Sequence, residues 1–142
     1  MGTESQTRPA GITALSIFFA FGAIVYFLSF VSLLFRGSFL EPMWRLNPRA
    51  HEAFTGMGAW AVLLMCVVCA ACASAAIGLW RGARWGYRLA FALLTLNLLG
   101  DVTNFLSGTE PRAVVGVPVV VAILVFLLSR RVRRFFKRPP GA

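Results

Sequence analysis

Two long stretches of this 142-residue chain carry no charge at all. No Asp, Glu, Lys or Arg lies between Arg8 and Arg36, a gap of 27 residues, or between Glu52 and Arg81, a gap of 28. An α-helix needs about 20 mainly apolar residues to cross the hydrocarbon core of a bilayer. Backbone in lipid must also satisfy its own hydrogen bonds, which a helix does. Both gaps therefore predict transmembrane helices. A third gap, from Arg112 to Arg130, holds 17 residues and sits at the short end of the usual range. Between Arg81 and Arg112 the chain is apolar from Tyr87 to Leu106 but interrupted by Arg88 and Asp101. Arg88 lies near the start of that run, from where a long side chain snorkels to the headgroups. The pattern predicts an all-α membrane protein, a four-transmembrane-helix bundle with spans at about 12–34, 57–80, 86–106 and 113–129. Residues 1–142 then form a single transmembrane domain, with 130–142 as a basic cytoplasmic tail.

Composition agrees. Charged residues make up 13% of the chain, where a soluble domain carries about 25%, so there is too little polar surface to coat a globule. The pI near 11.3 would point to nucleic acid in a soluble protein. Here the charge flanks apolar spans, and anionic lipid headgroups are the nearer partner; no nucleic-acid binding is expected. Of the fourteen basic residues only Lys137 is not Arg, a bias that, with abundant Ala, Gly and Val, fits a GC-rich bacterial genome and a bacterial inner (plasma) membrane. The apolar run from Ile12 to Phe35 has no A-x-A-like cleavage site and is too long for a signal-peptide core. It reads as an uncleaved first span.

An even number of spans puts both termini on one side, and basic residues favour the cytoplasm. Ten lie on the terminus side: Arg8, Arg81, Arg84, Arg88, Arg130, Arg131, Arg133, Arg134, Lys137 and Arg138. Four lie opposite: Arg36, Arg45, Arg49 and Arg112. The termini are predicted inside. Trp80, Trp85 and Tyr87 flank the inner hairpin, while Trp44 and Trp60 sit near the outer surface, the depths that amphipathic rings prefer.

The outer loop, Arg36 to Thr55, is the only long connection. Ser38 and Glu41 have capping-box spacing, which predicts a short interfacial helix near 39–45. Asn47-Pro48 is an N-cap and N1 pair, predicting a helical lead-in from Pro48 into the second span, loosened by Gly56 and Gly58. For the fourth span, Thr109 is the expected cap with Pro111 in the first turn, and Pro118 is expected to kink the helix.

Chemistry-bearing residues are few. Cys66, Cys69 and Cys72 form C-x-x-C-x-x-C, a spacing that suggests metal or redox chemistry. On a helix, however, i, i+3, i+6 steps around the axis and does not converge the sulfurs, and burial disfavours thiolates. Small packing residues are the better reading, beside a stripe of Ala70, Ser74 and Gly78 at i, i+4, i+8 that lets helices approach closely. His51, the only histidine, has Glu52 beside it and Glu41 upstream, but neighbouring residues do not share a helix face and no metal or cofactor is expected. Ser16, Tyr26, Ser29 and Ser32 lie in the first span with no base nearby in sequence, so the chain is read as a non-enzyme.

The third span carries the polar site. Asn97, Asp101 and Asn104 lie at i, i+4, i+7, stacked on one face near its outer end. An intramembrane acid normally faces protein or water and has a partner; Arg45, Arg49, His51 and Arg112 are on the expected side. Two readings follow. In one, Asp101 pins the outer loop through an Arg and the asparagines bridge helices, giving a structural or partner-binding bundle. In the other, the face lines an outward-open site for a small solute or ion. On the opposite side, Arg81, Arg84, Arg130, Arg131, Arg133, Arg134, Lys137 and Arg138 are expected to touch anionic lipid at the cytoplasmic face, and the small-residue second span allows a homo-oligomer or a membrane protein partner.

Four stretches, WRLNPRAHEAF (Trp44–Phe54), GLWRGARWGYRLA (Gly78–Ala90), LNLLGDVTNF (Leu96–Phe105) and LLSRRVRRFF (Leu127–Phe136), resemble a group of small, uncharacterised four-helix bacterial membrane proteins. The resemblance implies a similar fold, assigns no activity and supplies no catalytic residues. Small multidrug transporters resemble the chain in span count, but rely on a Glu in the first span, where this chain has none. Vitamin K epoxide reductase-like proteins place paired cysteines near the periplasmic face, unlike Cys66, Cys69 and Cys72.

Overall fold

The structure, a computed structural model, describes residues 8–35, 37–108 and 113–137. Six α-helices follow one another: α1 (Ala10–Leu34), α2 (Pro48–Met57), α3 (Ala59–Trp80), α4 (Arg84–Leu106), α5 (Ala113–Leu128) and α6 (Arg130–Lys137). A 3₁₀ turn, Glu41–Leu46, precedes α2, and no strand occurs among the described residues. Helices α1, α3 and α4 are long and apolar enough to cross a membrane. Helices α5 and α6 qualify only together, as a pair bent by 54°.

The side chains left exposed support a membrane environment. Helix α1 exposes Ile17, Phe18, Phe21 and Ile24, α3 exposes Leu63, Leu64 and Val67, and α5 exposes Val115, Val119 and Val125. Scattered exposed apolar residues are ordinary on a soluble protein, but continuous apolar faces of this extent are not. Helices apolar on all sides belong in a large core or in lipid.

The chain divides into two compact units, Met1–Ile17 with Ser74–Ala142, and Phe18–Ala73. In the second unit the C-terminal half of α1 meets the 3₁₀ turn. Trp44 is buried there, and its indole N–H donates to Ser32 Oγ at 2.9 Å. The Cys69 thiol of α3 donates to the Ala23 carbonyl of α1 at 3.3 Å. Asn47 caps α2 as its sequence predicts, its Oδ1 accepting from the Ala50 N–H at 3.1 Å with Pro48 as the first helical residue.

One expectation for this unit fails. The Ser38–Glu41 capping box does not form. The element is a 3₁₀ turn over Glu41–Leu46 capped by Leu40, with no side-chain capping bond. Ser38 instead gives its backbone carbonyl to the Glu41 N–H at 3.0 Å, and its buried hydroxyl has no partner among the described residues. The helical lead-in from Pro48 forms as α2 and is interrupted at one of the two glycines expected to loosen it. It stops at Gly58, whose φ of 58° and ψ of −128° lie where only glycine is at ease, and α3 begins after it.

In the first unit, α3 turns into α4 through a Schellman motif. The Ala83 N–H reaches the Gly78 carbonyl at 2.8 Å and the Gly82 N–H reaches the Leu79 carbonyl at 3.1 Å, with Gly82 at φ 66°. The helices leaving this turn touch backbone to backbone: a Cβ placed on Gly86 would lie 2.4 Å from Gly78 Cα. Buried Ser16 ties α1 to this region, its hydroxyl donating to the Ala76 carbonyl at 2.7 Å. Helices α4 and α5 form an antiparallel hairpin. Asp101 faces Gly116 at one end, and the Tyr87 hydroxyl donates to the Leu127 carbonyl, 3.1 Å away, at the other. Pro118 lies inside α5, but the 54° bend falls eleven residues on, at Ser129. Thr109, Pro111, Arg112 and Arg36, assigned roles in the sequence, lie outside the described residues.

Beyond the bend, α6 packs instead of trailing. Its apolar residues Val132 and Phe136 are buried, at 0% and 3% exposure, while Arg130, Arg131, Arg133 and Arg134 face outward. The Phe136 ring lies 5.1 Å from the Tyr87 ring. Arg84 at the start of α4 donates through Nε to the Phe136 carbonyl at 2.9 Å and through Nη2 to the Lys137 carbonyl. A guanidinium there satisfies the end of a helix whose last carbonyls lack intrahelical partners.

Candidate functional site

The polar face of α4 is built by helical spacing. Asn97 and Asp101 are one turn apart, and the Asn97 Nδ2 donates to Asp101 Oδ2 at 3.0 Å. Asp101 is half-buried, while Asn97 and Asn104 are exposed. Across the hairpin, a Cβ on Gly116 would come within 3.0 Å of Asp101 Oδ2. The absence of a side chain at 116 is therefore what gives the carboxylate its place between α4 and α5. Asn104 is not brought to the carboxylate; its backbone carbonyl accepts from Ser107 Oγ at 3.3 Å.

The hydroxyls around this face are satisfied inside the helix. Thr95 donates to the Phe91 carbonyl at 2.9 Å, Thr103 to Leu99 at 2.7 Å and Ser107 to Thr103 at 2.8 Å. Such bonds to the carbonyl four residues back let a polar residue sit on a helix without an external partner. Asp101 lies five residues from the end of α4 at Leu106, roughly 7.5 Å along the axis. At that depth the cost of a carboxylate falls well below its value at a span centre.

Of the expected partners of Asp101, Arg112 lies outside the described residues, and Arg45, Arg49 and His51 belong to the second unit. There His51 stacks beside Trp44, with ring centroids 4.9 Å apart, and its buried Nδ1 has no partner among the described residues. It lines a cavity of about 250 Å³ with Ser32, Glu41 and Thr55. Arg45 is exposed and borders an open groove with Glu41, His51 and Glu52. No group of three or more His, Cys, Asp and Glu able to hold a metal occurs among the described residues.

The three cysteines of α3 occupy three environments: Cys66 is exposed, Cys69 half-buried and bonded to Ala23, and Cys72 buried. That is the divergence expected of i, i+3, i+6 on a helix. The small-residue stripe behaves unevenly. Ala70 is exposed and Ser74 half-buried, while Gly78 is buried against Gly86 and Trp85. The close contact uses Gly78, with Ala75, Ala76 and Leu79 buried beside it.

At the opposite end of α4, Arg81, Arg84, Arg130, Arg131, Arg133, Arg134 and Lys137 are all exposed, and Arg138 lies outside the described residues. Arg8 places its guanidinium 4.7 Å from the Trp80 ring centre, a cation–π contact. A groove of about 580 Å³ opens between α4 and α6, lined by Arg84, Tyr87, Arg88, Phe91, Leu128, Arg133, Phe136 and Lys137.

Gly86 and Gly116 were not singled out from the sequence. Gly86 shares no helix face with Gly78 in sequence, because the turn at Gly82 lies between them and puts them on different helices. Gly116 carries no local signal, since its role depends on a residue of another helix. No protein-family model matches the chain, and neither a curated protein nor a solved structure matches it.

Proposed function

We propose that the chain is a bacterial inner-membrane protein of four spans, with cytoplasmic termini and a structural or partner-binding role, not an enzymatic one. In this reading it belongs with the small four-helix membrane proteins it resembles. Helix α5 supplies a thin fourth span of about 24 Å, and α6 lies along the cytoplasmic interface as a short amphipathic helix. The observation that carries the role is the setting of Asp101. The carboxylate accepts from Asn97 of its own helix and occupies the space left open by Gly116 of the next, so it pins the pair by fit and not by an interhelical bond.

The competing role, a small-solute or ion carrier, draws on the exposure of Asn97 and Asn104 beside Asp101. Two variants separate the roles. Asp101→Asn preserves shape and can still accept from Asn97, so a pin survives it. Asp101→Ala removes the pin and its bond from Asn97, costing about 1 kcal/mol. Thermal unfolding in detergent, with native mass spectrometry of the same samples, should show Asp101→Ala destabilised, Asp101→Asn near wild type, and the same bound species throughout. Loss of a bound solute in both variants at unchanged stability would overturn the structural role in favour of the carrier.

A further inference from the structure

We infer that the groove between α4 and α6 is a specific site for one anionic phospholipid, distinct from the diffuse attraction of a basic surface for a charged leaflet. The inference rests on the proposed placement of this end of the molecule at the cytoplasmic interface. Of the groove's lining, Arg84, Arg88, Arg133 and Lys137 are basic and none is acidic, while Phe91 and Leu128 supply apolar wall.

The polar groups divide into those used by the fold and those available to a ligand. Arg84 is committed to the carbonyls at the end of α6, and the Tyr87 hydroxyl to the Leu127 carbonyl. The side chains of Arg88, Arg133 and Lys137 make no hydrogen bond or ion pair to another described residue, yet border the same space. Three cations drawn from two helices can surround a phosphate that neither helix could hold alone, and Arg offers it paired donors.

Phe91 and Leu128 lie on the side of the groove that continues into α4 and α5, the apolar hairpin. A bound phosphate therefore has apolar wall beside it on the side leading into the bilayer. That matches a phosphodiester carrying acyl chains and gives a free phosphate no use for half the site. At about 580 Å³ the groove has the size of a typical small-molecule site, enough for a headgroup and the first part of its chains.

The test compares lipid retained by the full chain after purification in neutral detergent and incubation with equal phosphatidylglycerol and phosphatidylcholine. Wild type should hold one phosphatidylglycerol per chain through washing. Arg88→Gln with Arg133→Gln should weaken retention about 30-fold, the effect of two basic residues at an anionic surface. Arg130→Gln with Arg131→Gln, equal in charge but outside the groove, should leave it unchanged. Leu128→Trp, which fills the apolar end from an exposed position, should weaken it with every cation in place and serves if the double variant does not fold.

Equal weakening by both double variants would reduce the site to general surface charge. Equal retention of phosphatidylcholine would remove the anion preference, and full displacement by millimolar inorganic phosphate would make it a free-anion site. Any of these overturns the inference. Unchanged melting in the same samples shows that the helical assembly stands when the lipid site fails, and lost melting in wild type would count against the membrane reading itself.

Discussion

At the residue scale, glycines set the closest approaches in the first unit, and they make predictions of opposite sign. A methyl group on Gly86 would strike backbone atoms of Gly78 and Leu79 at 2.4–2.7 Å. Backbone cannot swing aside as a side chain can, so Gly86→Ala should cost about 1–3 kcal/mol despite the helix preference of alanine. Gly22 is the control: its added Cβ would lie 4.0 Å from Cys72 Sγ, an ordinary contact. Gly22→Ala should therefore be neutral or stabilising by up to about 1 kcal/mol. Thermal unfolding of both variants in one detergent checks the pair, and equal melting shifts would contradict it. Gly116→Ala falls between them, because its 3.0 Å contact is with a carboxylate oxygen that can rotate. The sequence made Asp101 and its helical neighbour Asn97 visible, since they are four apart. It could not reveal the opposing glycine, because nothing local records which residue of α5 arrives opposite position 101.

At the element scale, α6 is the main departure from expectation. As a string of charges, RRVRRFFK reads as a stop-transfer signal. Its periodicity held more, because Val132 and Phe136 are four residues apart and both are buried. What the string lacked was its anchor, Arg84, about fifty residues earlier. Arg84→Gln should release the end of α6 and raise amide hydrogen exchange across Arg130–Lys137 while leaving α4 protected. Unchanged exchange would show that Val132 and Phe136 suffice to dock the helix. Tyr87→Phe removes the hydroxyl bond to Leu127 and should cost about 1 kcal/mol, read as a lower midpoint on thermal unfolding. In the connection between α1 and α3, legibility was mixed. The Asn47-Pro48 cap was plain because capping is local, whereas the Ser38–Glu41 spacing matched a capping box that Pro42 and the buried Trp44 displaced in favour of a 3₁₀ turn.

At the scale of the whole molecule, the spans drawn at 12–34 and 57–80 from the uncharged gaps match α1 and α3 to within two residues at each end, because the length of an apolar run reflects the thickness it must cross. The break at Gly58 was legible as a glycine in the lead-in, while the bend at Ser129 escaped, since hydropathy does not register backbone direction. The second of these matters most for topology. Helix α5 holds 16 residues, about 24 Å of rise against a hydrocarbon core near 30 Å. A short span is accommodated by local thinning of the bilayer and by flanking residues that reach for the interface, and the arginines of α6 stand where such residues are needed. The four-span proposal requires α5 to cross on these terms.

Substituted-cysteine labelling in intact cells tests that requirement most directly. In a chain with Cys66, Cys69 and Cys72 replaced by Ala, single cysteines at Glu52, Ser107, Arg81 and Arg134, all exposed positions, are challenged with a membrane-impermeant maleimide. The four-span arrangement predicts labelling of Glu52→Cys and Ser107→Cys from outside, and of Arg81→Cys and Arg134→Cys only after permeabilisation. Labelling of Arg134→Cys together with Ser107→Cys in intact cells would show that α5 does not cross, and would contradict the account.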